Sequence, residues 1–177
     1  MNSNQEIFLR TIKNNPVKIA NKLGFTLLGE LHNEWLKSFL FDKEDETLQA
    51  HRGSYKTVTI SVALALMIVI YPNDSILFMR KTENDITEVM KSVSKMLHSD
   101  IMKAIVKVLY NKDLILLKDT NAEISTNLQT STRGTAQLTG LGSTSSLTGK
   151  HYERIFTDDI INLKDRTSKA ERERIKL

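Results

Sequence analysis

Cysteine is absent from this 177-residue chain, which excludes disulfides, thiolate chemistry and cysteine-based zinc sites together. The four histidines, His32, His51, His98 and His151, are scattered and show no metal-ligand spacing. Residues Met1 to Arg10 lack the apolar core that a signal peptide needs. The longest apolar run, Val58 to Ile70, is too short to span a bilayer and reads as a buried helix. Charge of one sign is only mildly in excess: 25 basic against 21 acidic side chains leave +4. That balance permits binding to a polyanion without demanding it. No internal repeat is present. These absences predict an intracellular, soluble protein, long enough at this length to bury one proper core.

What is present is organised around Ala50-His51-Arg52-Gly53-Ser54-Tyr55-Lys56-Thr57. A candidate strand, Thr47 to Ala50, precedes it, and an apolar helix from Val58 to Tyr71 follows. Strand, short loop, Lys-Thr and helix is the order of a phosphate-binding loop. In such a loop the backbone N–H groups and the helix N-terminus surround phosphate oxygens, a Lys neutralises them, and a hydroxyl holds Mg²⁺. The usual pattern places Gly at both ends. Here Ala50 and Tyr55 stand in those places. Alone, the octapeptide is a weak signal.

Upstream, the pattern predicts a short helix, a loose connection at Asn14-Asn15-Pro16, and an amphipathic helix with Leu28, Leu31, Trp35, Leu36, Phe39 and Leu40 near one face. Asp42 to Glu46 reads as an acidic surface loop. Downstream, Pro72-Asn73-Asp74 ends the apolar helix, and Ser75 to Arg80 reads as a buried strand. Asn84 or Asp85 is the expected cap of a helix through Ile86, Val89, Met90, Val93, Met96 and Leu97. A further helix is predicted over Asp100 to Tyr110 and a strand over Leu114 to Leu117. The Thr-, Ser- and Gly-rich segment from Asn121 to Gly149 reads as antiparallel strands and exposed loops. Arg154 to Asp159 is an apolar strand that closes on two carboxylates.

This alternation predicts an α/β fold of the P-loop NTPase type: three layers, a mostly parallel central sheet with flanking helices, and some antiparallel edge strands. Ligands of such sheets bind beyond the carboxyl ends of the strands, where Lys56-Thr57 and Asp158-Asp159 would converge. In that pairing Asp158 holds Mg²⁺ alongside Thr57, and Asp159 orients or deprotonates the attacking water. Lys56 spans the β- and γ-phosphates of ATP, and Arg52 reaches the γ-phosphate. The loop residues His51, Arg52, Gly53, Ser54, Tyr55, Lys56 and Thr57 bind the nucleotide. Against this stand plainer readings: Lys-Thr at a helix start is common, and a carboxylate pair closing a strand is often a turn or a cap.

Three stretches then resemble the ATPase domain of tailed-bacteriophage terminase large subunits: His51 to Thr57, Ile76-Leu77-Phe78-Met79-Arg80-Lys81-Thr82, and Leu147 to Asp159. Leu31-His32-Asn33-Glu34-Trp35 is similar to the segment before that family's phosphate loop. The likeness covers about residues 25 to 165 and is most specific in the approach from Gly149 through Tyr152 and Ile155 to Asp158-Asp159. The resemblance implies a DNA-packaging motor with ATP and Mg²⁺ as cofactors and double-stranded DNA, a portal protein and a small terminase subunit as partners. It would work as a homo-oligomeric ring at the procapsid portal, in the cytoplasm of an infected cell, with a monomer as the isolated form and no membrane. By position, Lys56 and Thr57 match the loop Lys and hydroxyl, Arg52 an Arg often found inside that loop, and Asp158 and Asp159 the metal-binding and catalytic acids. The implied organisation is a helical lead-in over 1–45 and a P-loop ATPase domain over 46–177.

The sequence departs from that family at three points. Asp159 stands where the family usually carries Glu, Tyr55 replaces the second loop Gly, and neither the coupling motif nor the metal-dependent nuclease domain follows the carboxylate strand. An ATPase-domain fragment without nuclease activity is therefore expected. A basic residue from a neighbouring subunit completes such sites. Arg80, Arg133, Lys150 and Arg154 are the candidates, Arg133 and Lys150 foremost because they fall in the Ser/Thr/Gly-rich segment. Trp35 is a candidate adenine contact, with a core helix residue as the plainer reading. Lys164 to Lys176 alternates basic and acidic residues as an exposed helix face would. Two competing functions remain: another helicase-like P-loop ATPase, and a binding or structural module with an inactive loop.

Overall fold

The computed structural model describes residues 3–132, 134–143, 145 and 151–160. They divide into two compact units. One takes the chain through Ile70 together with Val93–Ile115; the other takes Tyr71–Ser92 and the chain from Leu116 onward. Among the described residues no helix is long and apolar enough to cross a membrane.

The first unit is helical. It contains α1 (Ser3–Asn14), α2 (Val17–Lys22), α3 (Glu30–Phe41) and α4 (Lys56–Ile70), with α6 (Asp100–Tyr110) contributed from further along the chain. The predicted loose connection at Asn14 to Pro16 is a tight link between helices. Buried Asn33 holds it, accepting from Val17 N at 3.1 Å and donating to Asn14 O at 3.5 Å. Helix α3 turns Asn33, Leu36 and Leu40 inward, while Leu31, expected on the inner face, is exposed. The 100° step per residue places the buried stripe on i, i+3 and i+7 from Asn33, and Leu31, two residues before Asn33, falls on the opposite face. Helix α4 is buried at every residue from Thr59 to Val69. A helix apolar all round belongs in a core, and its alternation of Val, Ala, Leu and Ile gives it no polar face to expose. Tyr110 donates its phenol to Val69 O at 2.6 Å, and burial raises its pKa.

The second unit is built on a five-stranded sheet of order β2-β3-β4-β1-β5. The strands are β1 (Ile76–Arg80), β2 (Leu116–Asp119), β3 (Glu123–Thr126), β4 (Leu138–Gly142) and β5 (Arg154–Thr157). Strand β1 runs parallel to both β4 and β5; β2–β3 and β3–β4 are antiparallel. The protein is thus a mixed α/β chain, with parallel pairing confined to the block around β1. Continuous apolar β1 sits in the middle of that block, as a strand covered on both faces should.

Buried Gln137 ties the block to its antiparallel neighbour. Its Oε1 accepts from Thr126 N at 2.6 Å and Thr126 Oγ1 at 2.8 Å, and its Nε2 donates to Pro72 O at 2.8 Å. Helix α5 (Glu83–His98) starts in this unit and lies against β4 at Gly140. A Cβ added at Gly140 would stand 2.4 Å from Ile86 Cγ2 and 3.3 Å from Met90 Cγ. Gly140→Ala is therefore expected to cost about 1–3 kcal/mol through overpacking, read as a lower urea midpoint with an unchanged slope.

Three boundaries differ from the sequence reading. Helix α5 is capped by Thr82, not Asn84 or Asp85: Thr82 Oγ1 accepts from Asp85 N at 3.3 Å and donates to Asp85 Oδ2 at 2.6 Å. The cap residue must precede the first helical turn, which Asn84 and Asp85 already occupy. Strand β2 lies two residues later than predicted, because Leu114 is buried outside the ladder while the paired residues begin at Leu116. Thr47 to Ala50 is not a strand. A strand exists only through ladder hydrogen bonds, and Thr47 and Gln49 are exposed rather than paired in the sheet described.

Candidate functional site

The loop into α4 belongs to the first unit and the carboxylate pair to the second.

In the loop, Ser54 N–H donates to His51 O at 3.3 Å, closing a turn with Gly53 at φ 84°. A turn of this kind requires positive φ at its third residue, so Gly sits there without strain. Tyr55 follows at φ 55°, the position of the second loop glycine in the usual pattern. Left-handed backbone costs a residue with a Cβ about 1–2 kcal/mol. Contacts around Tyr55 hold it there: its carbonyl accepts from both Thr59 N and Thr59 Oγ1 at 2.9 Å, and its ring meets His32 edge-on at 6.2 Å. Tyr55→Val is expected to lower stability by about 1–2 kcal/mol, since a β-branched residue is a severe outlier at positive φ, whereas Tyr55→Gly is not. Comparing the melting temperatures of the two variants checks this.

Lys56 and Thr57 are the first two residues of α4 and are half-buried. Helix α4 therefore offers what an anion needs at its start: N–H groups without intrahelical acceptors, the positive end of the dipole, a cation and a hydroxyl. His51, Arg52 and Gly53 are exposed, and Ser54 is buried.

His32 supports the loop from α3, and the sequence reading missed it. Gly29 N–H donates to His32 Nδ1 at 3.1 Å, so the ring proton sits on Nε2, which donates to Ser54 O at 3.0 Å. The same ring packs edge-on against Trp35 at a centroid distance of 5.1 Å. The available signal was the Gly29-x-x-His32 spacing before an apolar run, which can supply only the return half of a capping box because Gly29 has no side chain. Trp35, the candidate adenine contact, is half-buried and lines an open groove of about 620 Å³ with Ser38, Phe39, Thr47 and Leu48.

In the second unit the two carboxylates follow β5. Asp158 N donates to Met79 O at 2.9 Å, which extends the β1–β5 ladder by one bond. The Asp158 side chain is fully buried, and that of Asp159 is 63% exposed. Arg80, the last residue of β1, faces both: its Nε lies 3.5 Å from Asp158 Oδ2 and its Nη2 lies 3.4 Å from Asp159 Oδ2. Asp159 has φ 46°, a left-handed turn that Asp tolerates better than most residues. Strand alternation would send adjacent side chains to opposite faces. The left-handed turn breaks it and lets one guanidinium meet both acids.

Of the basic residues considered as contributions to a neighbour's site, Arg80 is thus engaged within its own chain. Arg154 is as well: it pairs with Asp74 at 3.0 Å and lies 4.2 Å over the Tyr71 ring. Arg133 and Lys150 lie outside the described residues, as do Lys164 to Lys176.

Among the described residues no three His, Asp or Glu side chains cluster into a metal cage. Mg²⁺ needs no such cage: it is commonly held by one or two carboxylates, with waters and substrate phosphates completing its shell. In the second unit Asp158 is a buried carboxylate of that kind, and in the first unit Thr57 carries a hydroxyl at the start of α4.

No known family model matches the chain, and no curated protein matches it.

Proposed function

We propose that the chain is the ATPase motor domain of a viral terminase large subunit, on a three-layer P-loop fold, hydrolysing ATP to drive viral DNA into a procapsid. The observation that carries the reading is the loop before α4. Gly53 and Tyr55 both take positive φ and deliver Lys56 and Thr57 to the start of a 15-residue helix. An L-residue is held left-handed only where surrounding contacts insist on it, and the position it occupies is that of a phosphate-loop glycine. The buried acid at the end of a parallel strand supports the same reading.

In this reading Lys56 neutralises the β- and γ-phosphates, and Thr57 and Asp158 hold Mg²⁺, which supplies charge stabilisation at the transferring phosphoryl group. Asp159 orients the attacking water, and Arg52 reaches the γ-phosphate from the exposed part of the loop. A basic residue of a neighbouring subunit, Arg133 or Lys150, completes the site, and Trp35 contacts the adenine. The partners are double-stranded DNA, a portal protein and a small terminase subunit. The working form is a ring at the procapsid portal in the infected cell's cytoplasm.

A second reading, a binding or structural module with an inactive loop, draws on a specific observation: no strand leads into the loop at Thr47 to Ala50. ATP binding and hydrolysis, measured for the unaltered chain and for Lys56→Ala and Asp158→Ala, separate the two. Turnover lost in both variants supports the motor; no ATP binding by the unaltered chain at millimolar nucleotide supports the inert module.

A further inference from the structure

We propose that Arg80 is the internal counter-cation of the Asp158–Asp159 pair, occupying the carboxylates in the metal-free chain and giving way when a divalent cation binds. The inference rests on the ATPase reading for its consequence, while its geometry lies wholly within the second unit.

A fully buried carboxylate such as Asp158 has lost its hydration and needs a positive partner close by. Arg80 supplies such a charge, itself 13% exposed at the side chain. It is placed by register: Phe78 pairs with Phe156 and Met79 with Thr157, so Arg80 falls level with Asp158. The backbone bond from Asp158 N to Met79 O keeps the two strand ends together at that point.

The pairing is nevertheless a loose one. Its separations, 3.5 Å to Asp158 and 3.4 Å to Asp159, exceed the roughly 2.7–2.9 Å of a strong charge-assisted hydrogen bond. One guanidinium is divided between two acids instead of forking onto one. A side chain held this way neutralises the pair electrostatically and can leave it without breaking a bidentate bond. A divalent cation carries twice the charge into the same place. Arg80 then swings from the acids toward solvent, which makes it a positioning residue: it holds the two acids beside one another until the metal arrives.

The test is Mn²⁺ binding to the full chain, followed by electron paramagnetic resonance, together with the melting temperature in chelator and in Mn²⁺. Arg80→Gln is expected to bind Mn²⁺ about tenfold more tightly than the unaltered chain, because the metal no longer competes with a resident cation. It should melt lower in chelator and recover when Mn²⁺ is added. Arg80→Lys keeps one charge but reaches only one acid at a time, and should fall between the two. Asp158→Asn should abolish Mn²⁺ binding in every background, leaving the full signal of the free ion. Unchanged Mn²⁺ affinity in Arg80→Gln, with binding still dependent on Asp158, would overturn the exchange and leave the ATPase reading intact. Absence of Asp158-dependent Mn²⁺ binding in both the unaltered chain and Arg80→Gln would overturn both.

Discussion

Lys56→Ala is expected to lower ATP turnover by about a hundredfold or more, the scale seen when one preorganised group facing developing charge is removed. Lys56 opens α4 and is half-buried. In the proposed site its ammonium would add to the helix dipole and the first-turn N–H groups in acting on one bound phosphate. Removing it takes away the only mobile full charge among them while leaving the backbone in place. ATP affinity should weaken less than turnover, because the remaining N–H groups still bind phosphate in the ground state. The measurement is steady-state phosphate release alongside ATP binding by calorimetry. Asp158→Ala should give a comparable loss by a different route. Because its removal also leaves Arg80 without its buried partner, Asp158→Asn is the cleaner variant: it keeps the shape of the side chain and loses the charge. Turnover unchanged in Lys56→Ala would refute the assignment of this loop.

Phe78→Ala should be the most damaging substitution for stability, at about 3–5 kcal/mol. Phe78 is wholly buried in the middle of β1, with Gly140 as its register partner on one side and Phe156 on the other. Gly140 has no side chain with which to fill the space, and the close approach of α5 at that glycine leaves little freedom to collapse into it. A loss of that size takes a large fraction of the roughly 5–15 kcal/mol available to a domain. Leu117→Ala is the matched control, since Leu117 is 70% exposed on strand β2 and should change stability by no more than about 0.5 kcal/mol. Urea denaturation of both variants decides it. Equal midpoints would mean that β1 is not the buried middle of the parallel block.

Much of this fold was legible in the chain. Helix α6 spans Asp100–Tyr110 as the apolar period predicted, and Ser99 caps it through Met102 N at 3.2 Å. Strand β1 and helix α4 were legible for the same reason: their residues are nearly all apolar, and composition alone commits such runs to an interior, whereas β5 alternates half-buried and exposed residues and owes its place to pairing with β1. Candidate residues were legible where local chemistry carries them. The positive φ of Tyr55 belongs here, since its place in the loop pattern called for glycine.

The rest was decided by partners far away in sequence. Whether Thr47 to Ala50 forms a strand depends on a ladder neighbour that a four-residue stretch cannot specify, and none pairs with it in the sheet described. His32 became a support of the loop through a bond to a carbonyl 22 residues on, and Arg80 acquired an acid 79 residues on. Strand β4 comes between β3 and β1 in space, although α5, α6 and two strands separate it from β1 along the chain. By itself the sequence determined which long apolar segments must be buried, where the helices turn, and which residues carry the charges. Only the tertiary structure decided which of those charges meet. Burial and helix formation are governed by residues within a few positions of one another, whereas an ion pair between strand ends is created by register.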